Sequence, residues 1–363
     1  MLDLSFYRNK RVMITGHTGF KGSWMCRILV DAGAQVSGYA LEPSTQPNLF
    51  TLSGLADEMN SVIGDIRDRE TMRSFFESVR PEIVIHMAAQ PIVRYGYRHP
   101  VETYETNVMG TVNLLECVRE CKSVQSVVNI TTDKVYRNNE WCWGYRETDP
   151  LDGYDPYSNS KSCSELVTHC YKNSFFASGM PAISTVRAGN VIGGGDFAQD
   201  RIIPDCIRAQ IRGEKIGVRN PHSVRPYQHV LEPISVYLMI AQKQAEDPQY
   251  ANWYNIGPDD QDCIMTGELV DLFCRTWGEQ AKWENLSEVG APHEANFLKL
   301  DCSLLKTVFH WKPVWHIDQA VEETCRWSKI WMHGGDIRQE MRCEIQRYLT
   351  QMKQNALDAR ERE

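Results

Sequence analysis

A strand, a glycine-rich turn, a helix and a second strand follow one another in residues 11–41, and this succession constrains the fold most. Arg11–Thr15 is a short apolar run typical of a buried strand, and a GxxGxxG turn follows it directly. Residues 23–32 have the periodicity of a helix, and residues 35–41 predict the next strand. Together these segments predict one βαβ unit of a parallel sheet.

The alternation of strands and helices continues to about residue 190. Further strands are predicted at 61–64, 82–86, 124–131 and 182–187, and helices at 70–79, 101–121 and 157–178. Such repetition predicts an α/β fold with a Rossmann-type, doubly wound parallel sheet and helices on both faces.

Beyond residue 190 the pattern is looser, and it predicts a smaller, mixed α/β C-terminal substrate domain. Helices are expected at 230–243, 266–278 and 317–332 and a strand at 253–257, whereas the stretches near Pro204, Pro221 and Pro226 are predicted to be loops. The expected domains are residues 1–187 with a returning segment near 226–257, residues 188–225 with 258–340, and a charged C-terminal tail at 341–363.

Composition excludes several classes of function. The 363 residues hold 39 Lys and Arg against 47 Asp and Glu, a net charge of −8, so a general nucleic-acid binder is not expected. No apolar run approaches the roughly 18 residues needed to span a membrane, and no secretory signal is recognisable. The 12 Cys form no CxxC pair and the 10 His no HExxH, so we expect a cytoplasmic protein without a metal.

The glycine turn predicts a dinucleotide site. Gly16, Gly19 and Gly22 allow backbone to approach a pyrophosphate, and the following helix directs free N–H groups at that anion. Glu42 follows the second strand and either accepts the ribose hydroxyls or is simply solvated. No basic residue lies beside Glu42 to bind the 2′-phosphate of NADP, so NAD is favoured as the cofactor. Asp65 and Ile66 either contact the adenine or form an ordinary strand-end turn.

Tyr157 and Lys161 are four residues apart at the start of a predicted helix, which puts them on one face. A phenol has a pKa of about 10, and a neighbouring ammonium together with a positive nicotinamide ring lowers that pKa towards that of a useful base. Thr132 follows a strand, at the sheet edge where α/β sites lie, and its hydroxyl can bond the substrate alcohol.

The chain resembles the extended short-chain dehydrogenases/reductases and, among them, the family of CDP-glucose 4,6-dehydratases, to about residue 335. The strings that carry the resemblance are Thr15–Gly22, His86–Pro91, Asn129–Lys134, Trp143–Glu147, Gly153–Lys161, Arg187–Asp196, Arg225–Pro233, His293–Ala295 and Lys299–Asp301. The resemblance implies NAD as cofactor, CDP-glucose as substrate and CDP-4-keto-6-deoxyglucose as product, in deoxysugar biosynthesis. A dehydratase or epimerase of another nucleotide sugar is the alternative.

The resemblance also implies the roles of the catalytic residues. Tyr157 takes the C4 hydroxyl proton, Asp133 protonates the leaving C6 hydroxyl, and hydrogen returns to C6. Related dTDP-glucose dehydratases have Thr-Asp-Glu where this chain has Thr132-Asp133-Lys134. Lys134 then either removes the C5 proton as a neutral amine or stabilises the enolate while another group is the base.

The remaining residues implied by the resemblance surround the same site. The cofactor is expected to contact Gly16, His17, Thr18, Gly19, Phe20, Gly22, Asp65, Ile66, Ala88, Ala89, Asn107, Thr131, Tyr157 and Lys161. The nucleotide sugar is expected to contact His86, Gln90, Asn190, Arg201, Arg219, Arg225 and His293. A homodimer or homotetramer through helices 101–121 and 157–178 is also implied.

Overall fold

A computed structural model describes residues 2–177, 179–278, 280–287 and 297–360. Its strands are β1 Arg11–Thr15, β2 Gln35–Ala40, β3 Asn60–Ile63, β4 Ile83–His86, β5 Ser126–Ile130, β6 Ala182–Ala188, β7 Val191–Ile192, β8 Ile216–Val218, β9 Val224–Pro226, β10 Gln228–His229, β11 Trp253–Ile256, β12 Cys263–Met265 and β13 Trp283–Asn285. Seven of them form a parallel sheet in the order β11-β6-β5-β4-β1-β2-β3. This sheet confirms the predicted Rossmann-type α/β class.

The helices are α1 Phe20–Asp31, α2 Leu49–Leu52, α3 Arg69–Val79, α4 Val93–Arg98, α5 Pro100–Tyr104, α6 Gly110–Glu120, α7 Pro156–Phe175, α8 Ile202–Arg212, α9 Leu231–Glu246, α10 Thr266–Trp277, α11 Ser303–Phe309, α12 Ile317–Met332 and α13 Ile337–Arg360. None of the helices within the described ranges is long and apolar enough to cross a bilayer.

Apolar side chains pack on both faces of the sheet and in a separate C-terminal layer. One face is covered by α1, α9 and α13. The opposite face is covered by α3 and α6. A third cluster joins α8, α10 and α12 beside the short pairs β8–β13 and β9–β12. The carboxyl ends of the sheet strands are thereby left facing the C-terminal layer.

Three predictions of local structure differ from the structure, and the first is that Pro226 ends strand β9 instead of lying in a loop. The expected helix at 101–121 is divided, because a π turn at Glu105–Met109 separates α5 from α6 and directs the Asn107 side chain inward. The stretch near Pro204 is not a loop but the first turn of α8. Proline is tolerated there because the amides of a first helical turn have no intrahelical partner.

The prediction of a charged tail from residue 341 is wrong for its first part. Met341, Ile345 and Tyr348 of α13 are buried in the core beneath the sheet. Glu344 is also fully buried, and its carboxylate lies 3.0 Å from His229 Nε2 at the end of β10. The many charges of the segment concealed this apolar stripe, which repeats at helical spacing. The division of the chain into domains otherwise stays a prediction.

Candidate functional site

A cavity of about 940 Å³ opens at the carboxyl ends of β1, β4, β5 and β6. The glycine turn forms one wall, and the segments that precede α8 and follow β8 form the other. Ligands of open α/β sheets bind at this edge, where loops of neighbouring strands diverge. The cavity is therefore the candidate active site.

The glycine turn forms a close-packed backbone cradle. Gly16 has φ of +79°, and a Cβ there would lie 2.7 Å from the Ala88 amide nitrogen. A Cβ on Gly22 would lie 2.2 Å from the Gly16 carbonyl oxygen. Helix α1 begins at Phe20 after Gly19, and no side chain in the described part of the chain caps its first amides. These amides are available to an anion in the cavity.

Most of the residues predicted to contact the cofactor line this cavity. They are Gly16, Thr18, Gly19, Phe20, Gly22, Asp65, Ile66, Ala88, Ala89, Thr131, Tyr157 and Lys161. Glu42 lines it as well, while Asp65 is paired with Arg67 at 2.6 Å. The carboxylate of Asp65 is therefore already neutralised on one side.

His17 and Asn107 are not among the described residues that line the cavity, so their contact with the cofactor stays a prediction. The His17 ring lies where a Cβ of Gly38 would be, and its Nε2 is 2.7 Å from Ser61 Oγ. Asn107 is bonded to the Gln90 amide and to Ser160 Oγ. Both residues support the cavity wall from behind.

Tyr157 and Lys161 are held at the start of α7, on which Asp155 caps the Tyr157 amide. Lys161 Nζ donates to the Ile130 carbonyl oxygen at 3.0 Å, which fixes the lysine beside the end of β5. Burial raises the pKa of Tyr157 to about 12, against the opposing effect of a hydrogen bond with Thr132. Burial and the charge of Lys21 lower the pKa of Lys161 to about 8. The pKa of the Tyr157 phenol is thus raised in the protein alone, whereas a lowered pKa was predicted for it beside Lys161 and the nicotinamide ring.

Asp133 is buried beside Tyr157 in the same cavity. One carboxylate oxygen accepts from Thr132 Oγ1 at 3.0 Å, and the other has no hydrogen-bond partner among the described residues. Burial raises the pKa of Asp133, although the charge of Lys134 opposes it. A Cβ on Gly189 would lie 3.3 Å from that free oxygen, so glycine leaves room beside the acid. Half-buried Lys134 lines the cavity next to it.

Four of the predicted substrate residues line the opposite wall, namely Asn190, Arg201, Arg219 and Arg225. Arg201 is paired with Asp196 at 2.9 Å, and Arg219 with Asp200 at 2.6 Å. This wall therefore combines guanidinium groups with carboxylates in one cleft.

The other predicted substrate residues lie elsewhere. His86 is buried between Thr15 Oγ1, at 2.7 Å from Nδ1, and Thr111 Oγ1, at 3.3 Å from Nε2. Burial lowers its pKa to about 3. Neither His86 nor Gln90 lines the cavity in the described part of the chain, because both bond to the helices behind it. His293 lies outside the described residues.

Several lining residues are not predicted by the sequence patterns, and Lys21 is the most conspicuous of them. It lies inside the glycine turn, and burial together with the charge of Arg201 lowers its pKa to about 8. Asp196 and Tyr227 are not predicted either. The position of Lys21 between two glycines of the turn was a signal in the sequence. Asp196 and Tyr227 reach the cavity through the path of the loops.

The fold and the site together define an enzyme of the nucleotide-sugar dehydratase class, with a dinucleotide cradle facing a Thr-Asp-Lys triplet and a Tyr/Lys pair. The family model of GDP-mannose 4,6 dehydratases matches residues 13–324, and the chain belongs to this family.

Within this class the relatives are more specific. The chain is 48% identical over 359 residues to the CDP-glucose 4,6-dehydratase of Salmonella typhimurium strain LT2, a match that covers 96% of this chain and 99% of the relative. It is 24% identical over 349 residues to the dTDP-glucose 4,6-dehydratase of Xanthomonas campestris pv. campestris, covering 89% and 95%.

Solved structures share the fold. The dTDP-glucose 4,6-dehydratase of Streptomyces venezuelae, solved with NAD bound, has a TM-score of 0.74 at 21% identity and covers 90% of this chain and 98% of its own. The UDP-glucose 4-epimerase of Thermotoga maritima, solved with UDP-glucose, has a TM-score of 0.76 at 20% identity, with coverage of 88% and 99%.

Proposed function

We propose that this protein is a CDP-glucose 4,6-dehydratase, an NAD-dependent hydro-lyase that converts CDP-glucose to CDP-4-keto-6-deoxyglucose and water. The observation that carries the proposal is the single cavity in which the Thr132-Asp133-Lys134 triplet lies beside Tyr157 and the glycine turn. The 48% identity to a CDP-glucose 4,6-dehydratase over nearly the whole chain supports the choice of nucleotide.

The cavity fits NAD. Close backbone packing leaves no room for a side chain at Gly16 and Gly22, and the amides of α1, which carry no side-chain cap among the described residues, suit a pyrophosphate. Ile66 and Ala88 offer apolar surface to the adenine and nicotinamide ends. When bound, NAD supplies the acceptor that takes the C4 hydrogen of the sugar and later returns it to C6.

Tyr157 removes the proton from the C4 hydroxyl. Its pKa of about 12 in the protein alone makes the phenol a poor base, so it needs positive charge nearby to ionise. The Lys161 ammonium and the cationic end of the cofactor are the groups that would supply this charge. The Thr132 hydroxyl lies within hydrogen-bonding reach of the Tyr157 oxygen and would orient the C4 alcohol beside it.

Asp133 is suited to protonate the C6 hydroxyl as it leaves. A carboxyl group with a raised pKa keeps its proton longer as pH rises, which is what a general acid requires. Its partner-free oxygen is the atom available to the sugar. Lys134, adjacent to it, either takes the C5 proton or stabilises the enolate that forms.

Arg201, Arg219 and Arg225 are proposed to bind the diphosphate of the substrate. Guanidinium groups match phosphate oxygens bidentately, and all three lie on one wall of the cavity. Asn190 on the same wall is placed to bond a sugar hydroxyl or the nearer phosphate.

A cytoplasmic homo-oligomer that acts in deoxysugar biosynthesis, including lipopolysaccharide O-antigen sugars, completes the proposal. The 12 free cysteines suit a reducing compartment. Exposed apolar side chains, among them Val101, Met109 and Leu166, lie on the helices expected to pair in a homodimer or homotetramer.

The test is incubation of the purified protein with NAD and CDP-glucose, dTDP-glucose, UDP-glucose or GDP-mannose, followed by the alkaline absorbance of a 4-keto sugar. We expect product from CDP-glucose alone. Preferred turnover of another nucleotide sugar would contradict the base assignment, and a C4 epimer without water loss would identify an epimerase instead.

The role of Lys134 is tested separately with K134M in deuterated water. If Lys134 is the C5 base, C4 oxidation stays measurable while deuterium no longer enters C5. Undiminished exchange at C5 would remove Lys134 from this role.

A further inference from the structure

Glu165 and Arg187 form a buried ion pair directly behind the catalytic groups. Their side chains are 3% and 1% exposed, and neither residue lines the cavity in the described ranges. Arg187 Nε lies 2.8 and 2.9 Å from the two carboxylate oxygens of Glu165. The chemistry assigned above uses neither residue, so the pair needs another explanation.

The pair connects the two segments that carry the catalytic residues, helix α7 and the triplet. Glu165 is on α7, one turn after Lys161, and accepts from Thr131 Oγ1 at 2.6 Å, one residue before Thr132. Arg187, on β6, donates to Tyr136 Oη at 2.6 Å, two residues after Lys134. One ion pair therefore joins α7 to both ends of the triplet.

The connection extends into the loop that follows the triplet. Arg187 also donates to the Glu147 carbonyl oxygen at 3.2 Å and lies 4.9 Å from the centre of the Tyr136 ring. Tyr136 Oη donates in turn to Asn255 Oδ1 at 2.6 Å, at the far strand of the sheet. Both ends of the loop from Tyr136 to Glu147 are thus hydrogen-bonded to Arg187.

Stability alone does not account for this arrangement. The desolvation of two buried charges usually cancels their attraction, so neutral replacements of a buried pair are often no less stable. A fixed geometry is what a satisfied polar network provides. Misplacement of reacting groups by about 1 Å costs about 10²-fold in rate, so a fixed geometry has catalytic value.

We propose that the Glu165–Arg187 pair is a positioning unit that sets the Thr132-Asp133-Lys134 triplet against Tyr157 and Lys161. The expected loss of kcat rests on the proposed function. The expected displacement of the triplet rests only on the hydrogen bonds of the pair. Its two residues act through Thr131 and Tyr136 and touch neither substrate nor cofactor.

The test is a double variant, E165Q with R187M, which removes both charges and leaves no orphaned ion. We expect a cooperative thermal transition, a KM for the nucleotide sugar near that of the wild type and a kcat lower by about 10²-fold. The crystal structure of the double variant should show the triplet displaced from Tyr157 by more than about 0.5 Å.

The control is a second ion pair of a buried arginine, in which the partner Glu58 is 21% exposed, on the other face of the sheet. Arg27 is fully buried and bonded to Glu58 at 2.7 Å, and neither lines the cavity among the described residues. The R27M/E58Q variant should change thermal stability and leave kcat unchanged. A kcat loss equal to that of the first double variant would attribute the effect to general destabilisation and overturn the proposal.

Y136F keeps the test decisive should the double variant fail to fold. It removes only the hydroxyl that Arg187 and Asn255 share, and we expect about a tenfold lower kcat with an unchanged KM. Wild-type kcat in Y136F or in a folded double variant overturns the proposal. Every variant is assayed with the nucleotide sugar that the wild type turns over, while the crystallographic displacement is measured without substrate. An inactive wild type therefore counts against the proposed function, and an undisplaced triplet counts against the positioning unit.

Discussion

The half of the cavity around the glycine turn is shaped by close backbone contacts, whereas the opposite half is shaped by ion-paired side chains on loops. In the first half, Gly16 and Gly22 are fixed by close contacts with neighbouring backbone. In the second, Arg201 and Arg219 are paired with Asp196 and Asp200. The first half is already shaped for its ligand. In the second half, the ion pairs of Arg201 and Arg219 must break before these residues can bind a negatively charged ligand.

The largest effect is expected where the halves meet, at Tyr157. Y157F removes the hydroxyl that accepts the C4 proton and leaves the ring in its buried position. We expect kcat to fall by about 10³-fold, in the range of general acid–base catalysis, with NAD affinity nearly unchanged. Steady-state turnover and fluorescence titration with NAD measure the two quantities. A residual rate near that of the wild type would contradict the role of Tyr157.

The shape of the first half is tested by G22A. The added Cβ would lie 2.2 Å from the Gly16 carbonyl oxygen, so the turn must move. We expect the Kd for NAD to rise by about 10²-fold, since anion binding depends on backbone approach at this turn. G257A, whose Cβ would meet nothing closer than 3.4 Å, is the control and should bind NAD normally. Equal Kd values for the two variants would contradict the role of the glycine turn in binding NAD.

A pH profile tests the charges between the halves. Lys161 has a pKa of about 8 in the protein alone, so its ammonium is lost as pH rises through 8. We expect kcat/KM to fall about tenfold per pH unit above that value, because free-enzyme ionisations govern this parameter. In K21Q the neighbouring charge that lowers the pKa is gone, and the alkaline limb should move to higher pH. An unmoved limb would assign it to another group.

The smallest effect is expected in the second half, from D200N. Asp200 competes with the substrate for Arg219, and asparagine tolerates its positive φ of 61°. We expect the KM for the nucleotide sugar to fall about threefold, the usual worth of a partly exposed ion pair. D152N, which breaks the exposed pair with Arg137 outside the cavity, should leave KM unchanged. A higher KM in D200N would show that Asp200 assists binding.

The same contrast explains which parts of the site could be predicted from sequence. The glycine turn, Tyr157 with Lys161, and the triplet are short local patterns whose geometry is fixed by one strand end or one helix turn. His86 belongs to such a pattern but faces the helices, because alternate residues of a strand point to opposite faces. Lys21 and Asp196 reach the cavity through tertiary packing, which no local spacing records.

The fold class followed from the alternation of elements, and its errors came from competing signals. The charge of residues 341–363 concealed the buried stripe of α13, and the proline of α8 resembled a loop signal although it occupies a permitted first-turn position. The π turn at Glu105–Met109 leaves the helical periodicity almost intact, so its inward Asn107 was not distinguishable from an ordinary helix residue.

Helix α13 also has a consequence for the order in which the chain folds during translation. Met341 and Tyr348 close the apolar layer under a sheet whose first strand is Arg11–Thr15, so this strand waits for a helix that is synthesised much later in the chain. Domains usually fold from the N-terminus as they emerge. This sheet cannot complete its core until α13 has been synthesised, and a product terminated before α13 would display an uncovered apolar groove to chaperones and proteases.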